Sequence, residues 1–237
     1  MKKLYDKNEL SFSLLLIGIY VLLHSLADSI STTVGIRKII TAPLCIGMTA
    51  VIYVFISKNG LKAKYGFCKP TNANKSFLWY LPLALIASTN LWLGIKINFS
   101  FIETFLGILS MIFVGFLEEV IFRGFLFRAL ERDNIKRAII ISSVTFGLGH
   151  IVNLLNGQEL VPTLLQICYA ISIGFLFTIM VYKGRSIWPC VVTHSLINGL
   201  SVVANRADTA HMINVFSAVF LCVVPALYSF YILKHTQ

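Results

Sequence analysis

Between Phe116 and Arg128 an apolar run holds three ionisable side chains, Glu118, Glu119 and Arg123. A charge at the centre of a membrane helix costs about 2.5–3.5 kcal/mol on insertion scales, so three together point to work that only charged groups do. Glu119 and Arg123 stand four apart, about 40° around a helix, and can pair on one face, which makes a structural ion pair their first reading. Glu118 points about 100° away from Glu119, on a stripe with Phe122 and Phe125. Nothing local neutralises it, and its partner must come from another helix.

Two further apolar runs carry histidine. Phe146-Gly-Leu-Gly-His150 places Gly147 and Gly149 beside the imidazole, where missing side chains let a neighbouring helix or a substrate backbone come close. In His194-Ser-Leu-Ile-Asn198 the imidazole and the carboxamide are four apart and share a face. Hydrolysis of an amide needs an activated water, a group that accepts and returns its proton, and donors for the oxyanion. Glu118, unpaired in apolar surroundings, suits the general base, and His150 could hold the water with it. His194 and Asn198, side by side, could donate to the oxyanion. No Ser, Cys or Thr has an obvious place as nucleophile, so direct attack by water is the expected chemistry. His24, Asp28, His211 and His235 fall at span ends, in a loop and in the tail, and are assigned no chemistry.

The elements that must position these groups follow from composition. The 237 residues are 57% hydrophobic and 13% charged, with a mean hydropathy of +0.81, values of an integral membrane protein. Apolar runs near twenty residues long predict an all-α, polytopic chain of about eight transmembrane helices, roughly 11–27, 39–56, 77–95, 101–127, 138–155, 160–182, 187–204 and 212–233. They form one transmembrane domain over 1–237, with the motif-bearing core at about 101–204. The first run has no small-residue cleavage site after it and reads as a retained helix. The long connection 57–76 reads as an interfacial connector. The five cysteines, scattered singly with no ligand spacing, read as small buried hydrophobes.

Lys and Arg divide unevenly between the two sides. The N-terminal tail, the segments 57–76, 128–137 and 183–186, and the C-terminal tail hold fifteen; the opposite side holds four, Arg37, Lys38, Lys96 and Arg206. The positive-inside rule puts the first set and both termini in the cytoplasm of a cell-membrane protein. The net charge of +10 is then lipid-facing and implies no nucleic acid. At 1.5 Å per residue, Glu118 lies about 15 Å, His150 about 18 Å, and His194 and Asn198 about 11 and 17 Å from the cytoplasmic ends of their helices. The matched depths predict one polar chamber in the cytoplasmic half. The outer half shows only scattered Ser, Thr and Asn, so the chamber is expected to open toward the cytoplasm, with cleavage near that leaflet.

Glu118-Glu119-x-x-x-Arg123, Phe146-x-x-x-His150 and His194-x-x-x-Asn198 together resemble the three motifs of the CPBP family of intramembrane proteases, which includes the type II CAAX prenyl endopeptidases and bacterial relatives. The resemblance covers about residues 115–200, including the Trp188-Pro189 lead-in to the third motif, with no departure at the motif positions. It implies an eight-helix fold, with Glu118 and His150 activating water, and His194 and Asn198 forming the oxyanion hole. It also implies a membrane-associated peptide or protein substrate, and relatives associated with CAAX processing, peptide maturation, bacteriocin immunity or envelope functions. Members have been classed as metalloproteases too, and Glu118, His150 and His194 could instead ligate zinc. The absence of HExxH favours the cofactor-free reading. A proton- or ion-coupled transporter and a non-proteolytic scaffold or immunity protein are the competing classes.

Overall fold

Side-chain caps fix where the helices begin. In the computed structural model, which describes residues 1–70, 77–205 and 211–235, Asn8 accepts from the Ser11 amide and Asn134 from the Arg137 amide. Ser100 and Glu103 close a reciprocal capping box. Each satisfies amides that a helix start leaves without partners. The helices are α1 (Lys2–Lys7), α2 (Glu9–Val34), α3 (Thr41–Lys58), α4 (Phe77–Ser88), α5 (Phe101–Glu119), α6 (Phe127–Leu130), α7 (Ile135–Gly149), α8 (Val152–Leu155), α9 (Leu160–Gly184), α10 (Trp188–Ser201) and α11 (His211–His235). A π-helical stretch, Val120–Leu126, joins α5 to α6 in one continuous rod. The chain is all-helical, with no strand among the described residues beyond an isolated bridge between Ile95 and Ala204.

Among the described residues six helical stretches are long and apolar enough to cross a bilayer: Glu9–Val34, Thr41–Lys58, Phe101–Leu130, Ile135–Leu155, Leu160–Gly184 and Met212–His235. The other two expected spans are helical but short. α4 gives way to a 3-10 turn at Thr89–Leu91, and α10 has 14 residues where a full crossing needs about 20. Both stop for the same reason. The non-helical segments that follow them bond each other, Lys96 N to Val203 O at 2.9 Å and Asn205 N to Gly94 O at 3.1 Å. Irregular backbone is tolerated at such depth when protein supplies its partners.

α5 is the axis of the assembly, packed on α3 and α10, while α7 and α11 both pack on α9. Two contacts bring backbones together. A Cβ at Gly115 would lie 2.7 Å from the Ser195 amide nitrogen, and one at Gly147 would lie 2.9 Å from that of Ile171. Glycine therefore allows α5 to meet α10, and α7 to meet α9, more closely than any side chain would permit.

The ends of the bundle fall into two sets. Lys64 and Arg132 both bond Glu9, Tyr65 donates to Tyr5, and the Ile187 amide bonds Gly66 O. Those contacts gather 1–9, 61–69, 131–134 and 185–188 at one end, segments that hold eight Lys and Arg residues. The segments 35–40, 92–100, 151–159 and 202–205 lie at the other. Of the 57–76 connection, residues 71–76 lie outside the described residues. The cysteines correct their reading in part: Cys45 and Cys190 are buried, Cys222 is half-buried, and Cys68 and Cys168 are exposed; all five are free thiols. His211 and His235 are the terminal residues of α11 rather than parts of a loop and a tail.

Candidate active site

Glu119 and Arg123 form the expected pair, at 3.0 Å with neither side chain exposed. The pair does more than balance charge. Glu119 Oε1 also lies 2.7 Å from His194 Nδ1, so the carboxylate reaches from α5 to α10 and fixes the imidazole's orientation. With Nδ1 engaged, Nε2 points back toward α5 and stands 3.5 Å from Glu118 Oε2. His194 thus spans both glutamates. The Arg123 guanidinium leaves Nε and Nη2 without hydrogen-bond partners. It lies 4.1 Å from the centroid of the Phe146 ring, a cation–π contact that serves a desolvated guanidinium where bonds are lacking.

Phe146, on α7, is the hub of the layer. Its ring meets His150 edge-on with centroids 5.5 Å apart, His194 at 5.6 Å and Phe122 at 5.3 Å. One aromatic residue therefore sets the spacing of both histidines and of Arg123.

His150 sits where α7 ends, not in mid-helix, and the chain turns there before α8. The two neighbouring glycines divide the roles expected of them. Gly147 lets α9 approach, whereas Gly149 has nothing within 4 Å of a notional Cβ and faces a cavity. His150 Nδ1 lies 3.3 Å from Gln166 Nε2. Gln166 is itself tied down: its Oε1 accepts from Asn153 at 3.0 Å and Gln158 at 3.2 Å. Those two bonds turn its NH2 toward the imidazole, and the imidazole's Nε2 away from Gln166.

Glu118 finds its partner on α2. The Tyr20 hydroxyl donates to Oε1 at 2.7 Å, and Tyr20 is almost wholly buried. This residue lay beyond the three motifs, yet the sequence held its signal. Tyr20, His24 and Asp28 repeat every four residues along α2, a polar stripe on an apolar helix. Gln166 has no comparable signal, since a single carboxamide on α9 acquires meaning only from what folds against it.

Glu118, His150 and Asn198 face a cavity of about 260 Å³, with Tyr20, His24, Asp28, Lys38 and Gln166 also in its wall. Glu119, Arg123 and His194 stand behind that wall. Lys38 donates to both oxygens of Asp28, at 2.7 and 2.8 Å. His24 and Asp28, assigned no chemistry above, therefore belong to the chamber. The expected opening is corrected with them. From Glu118 the lining runs toward the end holding 35–40 and 151–159, the opposite end from the one anticipated, because α2 brings its polar stripe to the half that looked empty in sequence. Glu118 itself keeps the expected depth, 12 residues before Leu130 and 17 after Phe101.

Zinc ligation fits the arrangement poorly. Among the described residues no three His, Cys, Asp or Glu side chains converge as a metal-ligand group. No step below is routed through a metal.

Comparison with known proteins matches residues 99–200 to the family described as Type II CAAX prenyl endopeptidase Rce1-like. No curated protein and no solved structure matches the chain. The matched segment contains all three motifs together with Gln166; Tyr20 and the rest of the α2 stripe lie outside it. The family is a protease family, and the all-helical, largely apolar architecture is that of a multi-pass membrane protein.

Proposed function

We propose that this chain, matched to a protease family over residues 99–200, is an intramembrane endopeptidase that hydrolyses a peptide bond of a membrane-associated peptide or protein by direct attack of water. The observation that carries this reading is the contrast between neighbouring glutamates. Glu119 is sealed between Arg123 and His194, while Glu118 faces the cavity with its oxygens near Tyr20 and His194. A carboxylate held on two sides and open on the third suits a general base.

In the proposed reaction a water between Glu118 and His150 loses a proton to Glu118. Its oxygen bonds the scissile carbonyl carbon, and the carbonyl π electrons move to oxygen. Asn198, in the cavity wall, stabilises that oxyanion together with His194, whose Nε2 comes forward to 3.5 Å from Glu118 Oε2. Glu118 then returns the proton to the amide nitrogen, the oxyanion's electrons re-form the carbonyl as the C–N bond breaks, and carboxylic acid and amine depart. Glu119 and Arg123 hold His194, and Phe146 spaces the histidines. No cofactor enters the scheme, and dialysis against a strong chelator is expected to leave activity intact.

Glu118→Gln keeps the shape of the side chain and removes its basicity. It should lower turnover at least about 10³-fold with protein abundance unchanged, and the cells should accumulate an uncleaved membrane-associated precursor whose new terminus is missing from their peptide profile. Identical terminus profiles for wild type and variant, with both expressed, would falsify proteolysis.

A second reading gains from the α2 stripe. Glu118, Tyr20, His24, Asp28 and Lys38 form the kind of polar series that marks ion paths. In that case Glu118→Gln abolishes proton or solute flux and leaves every terminus as it was.

A further inference from the structure

The cavity that Glu118 faces adjoins another. The catalytic one shares Lys38, Met111, Asn153, Asn156 and Ser201 with a second cavity of about 330 Å³. The second continues to Arg37, Asn98, Phe99 and Gln158, residues of the chain turns at one end of the bundle. At the opposite end the contacts among Glu9, Lys64, Arg132, Tyr5 and Tyr65 tie the segments together. Among the described residues the tied end carries fourteen Lys and Arg, and the cavity end three, Arg37, Lys38 and Lys96. By the positive-inside rule the tied end is cytoplasmic.

The lining also has a chemistry. Asn98, Asn153, Asn156 and Gln158 bring four carboxamides to the second cavity, joined by the Ser201 hydroxyl and by no carboxylate. A carboxamide both donates and accepts. Asn153 and Gln158 each give one N–H to Gln166 and keep a carbonyl and a second N–H. Such groups match the free N–H and C=O of an extended peptide, whereas a helix satisfies its own backbone and has nothing to offer them.

We propose that the active site is reached from the non-cytoplasmic side of the membrane, and that its substrate is an extended peptide segment presented at the outer leaflet and held along its backbone by these carboxamides. The cleavage in this proposal rests on the protease reading; the direction of access does not.

The test uses the full-length protein in spheroplasts and a membrane-impermeant maleimide, with modification sites read by peptide mass spectrometry. Cys68, exposed at the tied end, is the internal reference. In Asn156→Cys, and in Gln158→Cys as a second variant, the introduced thiol should react from outside at least tenfold faster than Cys68, which should require permeabilisation. Equal rates, or the reverse order, overturn the proposal. A second arm compares Asn156→Cys before and after labelling, following the precursor that accumulates in the Glu118→Gln strain. The attached maleimide should reduce processing at least tenfold, and full processing by labelled protein overturns access through this cavity. Absence of processing in wild type defeats the protease reading instead, and leaves the labelling order to decide the side of access.

Discussion

At one end of the bundle Glu9 is bonded by Lys64 at 2.6 Å and by Arg132 at 3.2 Å, and the Tyr65 hydroxyl donates to Tyr5 at 2.8 Å. Burial, with Tyr5 adding to it, pushes the Tyr65 phenol well above its usual range, so the bond keeps its proton across physiological pH. At the other end Asp28 bonds Lys38 and Thr41, and Gln166 bonds Asn153 and Gln158, around open space. Both ends are polar and well bonded. What differs is reach: the first set of bonds draws distant segments of chain together, while the second braces the walls of a cavity. Whether polarity seals a membrane protein or opens it depends on what its bonds connect.

The sharpest way to break this comparison lies in the plane between the two ends. Glu119→Gln leaves Arg123 buried without its counter-charge and weakens the hold on His194, so a loss of about 3–5 kcal/mol is expected. Thermal unfolding in detergent measures it, and an unchanged midpoint would mean that the plane is not what joins the ends.

At the tied end, Gly66 has φ +75°, and a Cβ there would meet the Ile187 nitrogen at 3.0 Å and the Arg185 oxygen at 3.1 Å. Gly66→Ala should cost about 1–3 kcal/mol of stability and leave turnover per folded molecule unchanged. A fall in turnover at constant stability would show that this end takes part in catalysis.

The smallest effect sharpens the picture at the open end. Tyr20→Phe removes one hydroxyl from Glu118 and keeps the ring, so turnover should fall about tenfold, equivalent to about 1.4 kcal/mol in the barrier. KM and the unfolding midpoint should hold. If KM rises instead while the maximal rate stays, Tyr20 contacts substrate rather than positioning the base.

The sequence makes some of this legible because its causes are local. Glu119 and Arg123 pair across one helical turn, the three motifs fall at matched depths by counting residues, and Gly147 and Gly149 flag a close approach beside His150. What it hides depends on neighbours in space. The second bond of Glu119, to His194, crosses from α5 to α10, and the bond that orients His150 comes from α9. The direction of the cavity hides for the same reason: the polar groups that face α5 beyond Glu118 come from α2 and from Lys38, Asn153, Asn156 and Gln166, all distant in sequence. The spans 77–95 and 187–204 read as full crossings because hydropathy registers composition, whereas their helices stop where two irregular segments bond each other.

Backbone contact at Gly115 and Gly147 bears on motion. Where helices touch through glycine there is no side chain to swing aside, so widening the catalytic layer means displacing whole rods, α5 against α10 or α7 against α9. Rearrangements of that size belong to microseconds and longer, whereas the rotamer hops that open ordinary crevices take picoseconds to nanoseconds. The catalytic layer is therefore a fixed jig. Threading into it falls to the peptide, which has to uncoil and come to the glutamate.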